Sequence, residues 1–187
     1  MNYEEYVHCQ TVTHGQIEKP EHYHIAERKA IDYLFKDVPK TSLILDVGCG
    51  SGLGMKYLRS LGYLNTFGLE LHPEKARIAN AFEGDIASFV SAISYDVIYS
   101  SHSFEHTFDP TLALERMKEI ASEFIFILPY PDTRDSNAHR ASFEIGTRID
   151  DEGKTVVSWF EDRGLKLIQK TFDNFREAEI WLKFQRV

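Results

Sequence analysis

Cysteine is scarce in this 187-residue chain, with Cys9 and Cys49 alone. That excludes a disulfide framework, and a bridge to Cys49 would distort the glycine loop it sits in, so a reducing compartment is expected. Basic residues are outnumbered, 21 Lys and Arg against 29 Asp and Glu, for a formal net charge of -8. No global positive field draws a phosphate backbone, so nucleic acid is not an expected partner. Long apolar runs are missing too: no uncharged stretch approaches the roughly 20 residues that cross a bilayer. "MNYEEYVHCQ" has neither the basic start nor the apolar centre of a secretory signal. A soluble, unprocessed cytoplasmic protein with no membrane partner is the expectation. Repeats and low-complexity tracts are absent from the sequence. The 43% hydrophobic and 13% aromatic content suffices for one sizeable core, so residues 1–187 are read as a single domain.

Along the chain, strand-like and helix-like segments alternate, as in a parallel sheet covered on both faces. "SLILDV" (42–47) reads as a buried strand that runs into a glycine loop and then the helix "SGLGMKYLRSLG", stopped by Gly62. "NTFGLEL" gives the next strand and "EKARIANA" the next helix, followed by a short strand before Asp85 and the clear strand "YDVIYS" (95–100). Asp109 and Pro110 then read as N-cap and first helical residue, with Leu114, Met117 and Ile120 on one face. "FIFIL" (124–128) is apolar throughout, as a strand buried on both sides should be. After the helix "TVVSWFEDRG", "LKLIQKTF" and "AEIWLKF" form an antiparallel hairpin joined near Asp173 and Asn174. Residues 1–40 read as a loose N-terminal arm and then the helix "PEHYHIAERKAIDYLF"; residues 41–187 read as the core.

The stretch "LDVGCGSGLG" (45–54) carries glycines at 48, 50, 52 and 54. Glycine between a strand and a helix lets a ligand reach main chain that a Cβ would block, at the place where open parallel sheets bind ligands. A tight turn alone would explain one or two glycines but not four. Spacing narrows the ligand. A dinucleotide fingerprint G-x-G-x-x-G fails in both registers, since the sixth position is Leu53 or Met55, and a phosphate loop fails because Met55 precedes Lys56. What stands there is D-x-G-x-G-x-G, led by Asp46.

That loop resembles the first motif of class I methyltransferases, which bind S-adenosylmethionine; "LDVGCGSG" matches it at every quoted position. The resemblance covers about residues 40–187. It implies a Rossmann-like α/β fold: a mostly parallel seven-stranded sheet with an antiparallel C-terminal hairpin and helices on both faces. It also implies a cofactor site built from Asp46, Gly48, Cys49, Gly50 and Gly52, with Asp46 ordering the loop or the cofactor's amino group and Cys49 a small packing residue. Glu70, at the end of the second strand and 22 positions after Gly48, can accept both hydrogen bonds of a ribose diol, with Leu71 beside it. An exposed strand-end charge is the plainer alternative. By the same resemblance Asp85 accepts from the adenine amino group and Ile86 donates from its backbone, although this segment is shorter than usual.

"SSHSFEHTFDP" (100–110) resembles the segment that small-molecule, ubiquinone-type members place beside the methyl group. Ser100 and Ser101 would then lie near the methionine part, and His102 and His106 would face the acceptor. Methyl transfer is an in-line displacement that depends on positioning, and a hydroxyl acceptor also benefits from a base, for which histidine is suited near neutral pH. His102 is favoured over His106, which could merely shape the turn. A divalent ion on His102, Glu105 and His106 is the alternative that the family's metal-dependent members suggest; the working expectation is no metal.

Specificity is expected in segments the common core does not need. Residues 129–150 form a long polar connection, read as a lid or substrate loop. There Arg134, Arg140 and Arg148 could read an anion and His139 could join the acid–base work, but Asp132, Asp135 and Glu144 offset the charge and an ordinary solvated loop fits equally. In the arm, family resemblance implies a helix closing over the cofactor, with Tyr23 lining the pocket or simply packing on the sheet. The expected function is S-adenosylmethionine-dependent methyl transfer to a small polar acceptor, with oxygen favoured, by a monomer or homodimer. Alternatives are a protein methyltransferase and a non-catalytic cofactor-binding module; a nicotinamide dehydrogenase is disfavoured by the broken fingerprint.

Overall fold

The computed structural model describes residues 2–13, 15, 21–134, 137–173 and 178–187, without the side chains of 21–24 and 137. Strands β1 (Ile44–Val47), β2 (Thr66–Glu70), β3 (Phe82–Glu83), β4 (Tyr95–Ser101), β5 (Ala121–Pro129), β6 (Leu165–Asp173) and β7 (Glu179–Arg186) form one seven-stranded sheet in the order β3-β2-β1-β4-β5-β7-β6. β1 pairs in parallel with β2 on one side and β4 on the other, and β7 runs antiparallel to both β5 and β6. This is the Rossmann-like architecture expected from the sequence. The order reverses at β1, so the crevice at the carboxyl ends of β1, β2 and β4 is where such a sheet takes its ligand.

Period-two alternation sends neighbours on each central strand to opposite faces, and both faces are covered. Leu45, Ile98 and Phe126 join a core with Leu114 and Met117 of α5 (Pro110–Ile120) and Val156 and Phe160 of α7 (Lys154–Glu161). Their neighbours Ile44, Val97 and Ile125 pack on the other face against Ile31, Leu34 and Phe35 and against Leu58. These come from α2 (Glu21–Leu34) with its following residue, and from α3 (Leu53–Ser60). Asp109 caps α5 by accepting from Leu112 N at 2.8 Å, with Pro110 at the first helical position. α4 (Pro73–Ala79) ends at Asn80 in the left-handed conformation.

Two local expectations are corrected. The arm is not loose: Tyr3–Thr13 is a helix, α1, with Tyr6 and Gln10 buried. Its sequence shows no apolar stripe because tertiary contacts at a few positions hold it rather than an amphipathic face. Segment 129–150 is not an ordinary solvated loop. It contains a 3₁₀ turn, Asn137–His139, and a short helix, α6 (Ala141–Ile145), and buries Ala138, Ala141 and Ile145. Its arginines are engaged at home: Arg134 with Asp132, Arg140 over the Phe108 ring, and Arg148 over Phe143 and on the Arg134 carbonyl. The joint of the hairpin at Asn174 and the residue Asp135 lie outside the described residues. No helix among the described residues is long and apolar enough to cross a membrane.

Candidate functional site

The glycine loop hangs from the end of β2: Gly48 N and Cys49 N both donate to Leu69 O, at 2.8 and 3.2 Å. Gly48 and Gly50 hold φ of +75° and +55°, a region costly for residues with a Cβ. At Gly48 a Cβ would also run into the Ser103 side chain, whereas at Gly50 it would meet nothing within 4 Å. The first glycine is therefore needed by the protein's own packing, and the second opens main chain to a ligand. Gly48→Ala is expected to weaken cofactor binding by about tenfold or more through combined clash and backbone strain of about 1–3 kcal/mol. Trimming Ser103 to Gly in the same chain should restore it only in part, as calorimetric titration would show.

Glu70 closes this loop from below. Its Oε2 accepts from Gly50 N at 2.7 Å and its Oε1 from His72 N at 2.9 Å. Each carboxylate oxygen has a second lone pair, so a diol can still be received. Around the loop lies a cleft with an empty volume of about 810 Å³, open solvent at its mouth included. Of the expected residues, Gly48, Gly50, Glu70, Leu71, Asp85, Ile86, His102 and His106 line it. Asp46, Cys49, Gly52, Ser100, Ser101 and His139 are not on its wall. Asp46 and Ser100 are buried, and the Cys49 thiol packs toward Gly68 and Met55. Burial, then the Asp46 and Glu70 charges, push that thiol's pKa far up, which suits a packing residue and not a nucleophile. The Tyr23 side chain lies outside the described residues.

Among the described residues, α1 caps the cleft. Tyr6, Gln10 and Thr11 line it. Tyr3 donates from its hydroxyl to Asp85 Oδ2 at 3.0 Å, while Asp85 Oδ1 accepts from Ala87 N at 2.9 Å. Burial and the Asp85 charge push the Tyr3 phenol up to about 12. Tyr3, Tyr6 and Phe108 form an aromatic cluster, with centroids 5.3 to 5.8 Å apart. Gln10 Nε2 donates to the carbonyls of Ala138 and His106, tying α1 to the 3₁₀ turn at Asn137–His139 and to another at Phe104–His106. Of these cap residues, Gln10 and Thr11 carry no sequence signal.

At the other end stand the histidines. His106 Nδ1 lies 2.6 Å from the Ala138 carbonyl; a carbonyl only accepts, so Nδ1 carries the hydrogen and Nε2 the lone pair. Burial dominates and lowers the His106 pKa to about 4; the His139 ring, 4.5 Å away and nearly perpendicular, pushes the same way against the Glu105 charge. His139 is itself held through Nδ1 by Asp132 Oδ2 at 2.8 Å, and the Ser142 hydroxyl donates to the same oxygen. Burial opposes the Asp132 charge, but His139, Ser142 and Arg134 outweigh it and hold the carboxyl well below its ordinary range.

His102 is placed differently. Its Nε2 is 2.8 Å from Glu179 Oε1 and its Nδ1 3.6 Å from Glu105 Oε1. Burial lowers its proton affinity, but Glu105 and Glu179 prevail and raise it. Glu105 is fully buried, with His106 Nε2 3.7 Å from Oε1. Burial works against its charge, yet the facing His106 and His102 rings hold its carboxyl down to about 2. Among the described residues, no group of three His, Cys, Asp or Glu side chains is arranged to hold a metal ion.

A histidine with lowered proton affinity makes folding acid-sensitive. The unfolded His106 binds a proton below its ordinary 6.5 while the folded one does so only near 4, so stability present above pH 6.5 is lost as pH falls through that window. The slope is about 1.4 kcal/mol per pH unit and the total over the window roughly 3 kcal/mol. Denaturant titrations at pH 7 and pH 4.5 should show this loss in the wild type and a smaller one in His106→Gln.

Residues 21–172 match the family model described as a methyltransferase domain. The chain belongs to that family. It is an S-adenosylmethionine-dependent methyltransferase. The methyltransferase is similar in fold to solved structures of low identity. One is a magnesium protoporphyrin IX methyltransferase from Synechocystis PCC 6803 with bound S-adenosylhomocysteine (14% identity, 89% of this chain and 84% of that one, TM-score 0.67). Another is a SAM-dependent methyltransferase from Aquifex aeolicus (15%, 90% and 94%, 0.69). A third is the 1,6-didemethyltoxoflavin-N1-methyltransferase of Burkholderia thailandensis (14%, 88% and 79%, 0.68). No curated protein sequence matches the methyltransferase. Its residues fit the cofactor, since the open main chain at Gly50, the Glu70 carboxylate and Asp85 face one cleft.

Proposed function

We propose that the methyltransferase acts on a small polar acceptor through oxygen, with His106 as the base. The observation that carries this reading is the 2.6 Å contact between His106 Nδ1 and the Ala138 carbonyl, which assigns the lone pair to Nε2 on a residue of the cleft wall. Bound S-adenosylmethionine supplies an electrophilic methyl group on a sulfonium. Glu70 would hold its ribose diol, Asp85 its adenine amino group, and Gly48 and Gly50 would admit it to the main chain. Tyr6 and Gln10 of α1 exclude water above the cleft. His106 accepts the acceptor's hydroxyl proton at Nε2, and its ordinary weak basicity near neutral pH is lowered enough to keep the nitrogen unprotonated before reaction.

His106 takes this role in preference to His102, although the His106 Nε2 lies 3.7 Å from Glu105 Oε1. The His102 Nε2 is engaged by Glu179 at 2.8 Å, and the proton affinity of His102 is raised where that of His106 is lowered. The small-molecule acceptor is supported by the Burkholderia thailandensis neighbour, crystallised with bound 1,6-didemethyltoxoflavin. The single domain, 1–187, and the use of segment 129–150 as a lid belong to the same reading. Incubation with S-adenosylmethionine and a panel of phenols, carboxylic acids and amines, read by mass spectrometry, tests it. Methylation of hydroxyl compounds is expected; turnover of amines alone would overturn the oxygen assignment.

A further inference from the structure

Glu179 begins β7, opposite Pro129 of β5 and 77 residues from His102 in sequence. It is 2% exposed, and its carboxylate is shared between two ring N–H groups: His102 at Oε1, 2.8 Å, and Trp181 Nε1 at Oε2, 3.0 Å. A buried carboxylate is costly unless donors surround it, so this one is matched to the rings it holds. The ring it holds on the cleft side belongs to a residue whose backbone is strained, His102 at φ +48°. A non-glycine residue in that region is strained and persists only where the surroundings enforce it. The enforcement visible here is the His102 N–H donating to Ile127 O at 2.9 Å and the Glu179 contact on the side chain.

We propose that Glu179 is a positioning residue: by accepting from His102 Nε2–H it fixes the tautomer and pose of that imidazole at the cleft wall. His102 then serves as a fixed wall of the acceptor end, and proton transfer is left to His106. This assignment rests on the functional reading of the cleft above. It extends that reading to a carboxylate on the C-terminal hairpin, outside the glycine loop and the histidine segment. A carboxylate that orients a histidine through one nitrogen is a general way of selecting its tautomer.

Diethyl pyrocarbonate tests this directly, because it modifies only an accessible neutral imidazole nitrogen. In the wild type, peptide mapping should show the exposed His8 labelled and His102 spared. In Glu179→Ala the freed Nε2 should be labelled about tenfold faster or more, as expected for loss of a hydrogen bond to a charged group. Glu179→Gln keeps an acceptor oxygen and should leave His102 spared. His139, buried on Asp132, reports on general loosening in the same digest and should stay slow in every variant. Labelling of His102 as fast as His8 in the wild type would overturn the proposal, as would no acceleration in Glu179→Ala or equal acceleration in both variants. S-adenosylhomocysteine titration into the same samples separates the two levels: failure of the wild type to bind it contradicts the functional reading, whatever the labelling shows.

Discussion

Replacing His106 by Ala is expected to lower turnover by about 10²- to 10⁴-fold, the usual contribution of a positioned base, while leaving S-adenosylmethionine affinity nearly unchanged. The separation follows from where the groups lie: the proposed cofactor contacts come from the ends of β1, β2 and β3, and His106 sits in the 3₁₀ turn after β4. Deleting the ring also removes its Nδ1–H bond to Ala138, so Ala alone confuses chemistry with support. His106→Asn is the sharper variant, since its side-chain amide can donate to the same carbonyl but cannot take a proton. Both variants should be equally slow. Recovery of activity in Asn would make His106 a brace for the Asn137–His139 turn and leave proton transfer to another group.

Glu70→Ala should weaken S-adenosylmethionine binding by about 1.5 to 3 kcal/mol or more, since hydrogen bonds to a charged group are lost. The structure adds a reason for the upper end. Glu70 also receives Gly50 N and His72 N, at 2.7 and 2.9 Å, so its removal slackens the loop as well as the diol contact. Glu70→Gln should be nearly as damaging. A carboxamide has one acceptor oxygen, and its NH₂ would face a main-chain donor where an acceptor is needed. Calorimetry on the two variants checks this: full affinity in Gln would show that the loop needs only one acceptor there and would move the ribose contact elsewhere.

The alternation of segments made the sheet legible, because the centre of β5, residues 124–128, is buried on both faces and so reads as a continuous apolar run. Glu70 was legible because strand end and glycine loop fix its distance from Gly48 along the chain. The helix Tyr3–Thr13 was not, since Tyr3, Tyr6, Val7, Cys9 and Val12 form no single apolar stripe and its place is set by Tyr6 and Gln10 reaching distant partners. The roles of Asp132 and Glu179 were equally hidden. Each meets its histidine only after folding, Asp132 across the turn that holds His139 and Glu179 across the sheet to His102. The resemblance favours His102 as the chemical residue, and its engagement by Glu179 exists in space and not in sequence.

The central claim is that the cleft at the carboxyl ends of β1 and β2 is an S-adenosylmethionine site, and parallel calorimetric titration with S-adenosylmethionine, S-adenosylhomocysteine and NAD tests it most directly. Micromolar binding of the first two with no heat from NAD is the predicted result. Binding of NAD alone, or of none of the three, would contradict it.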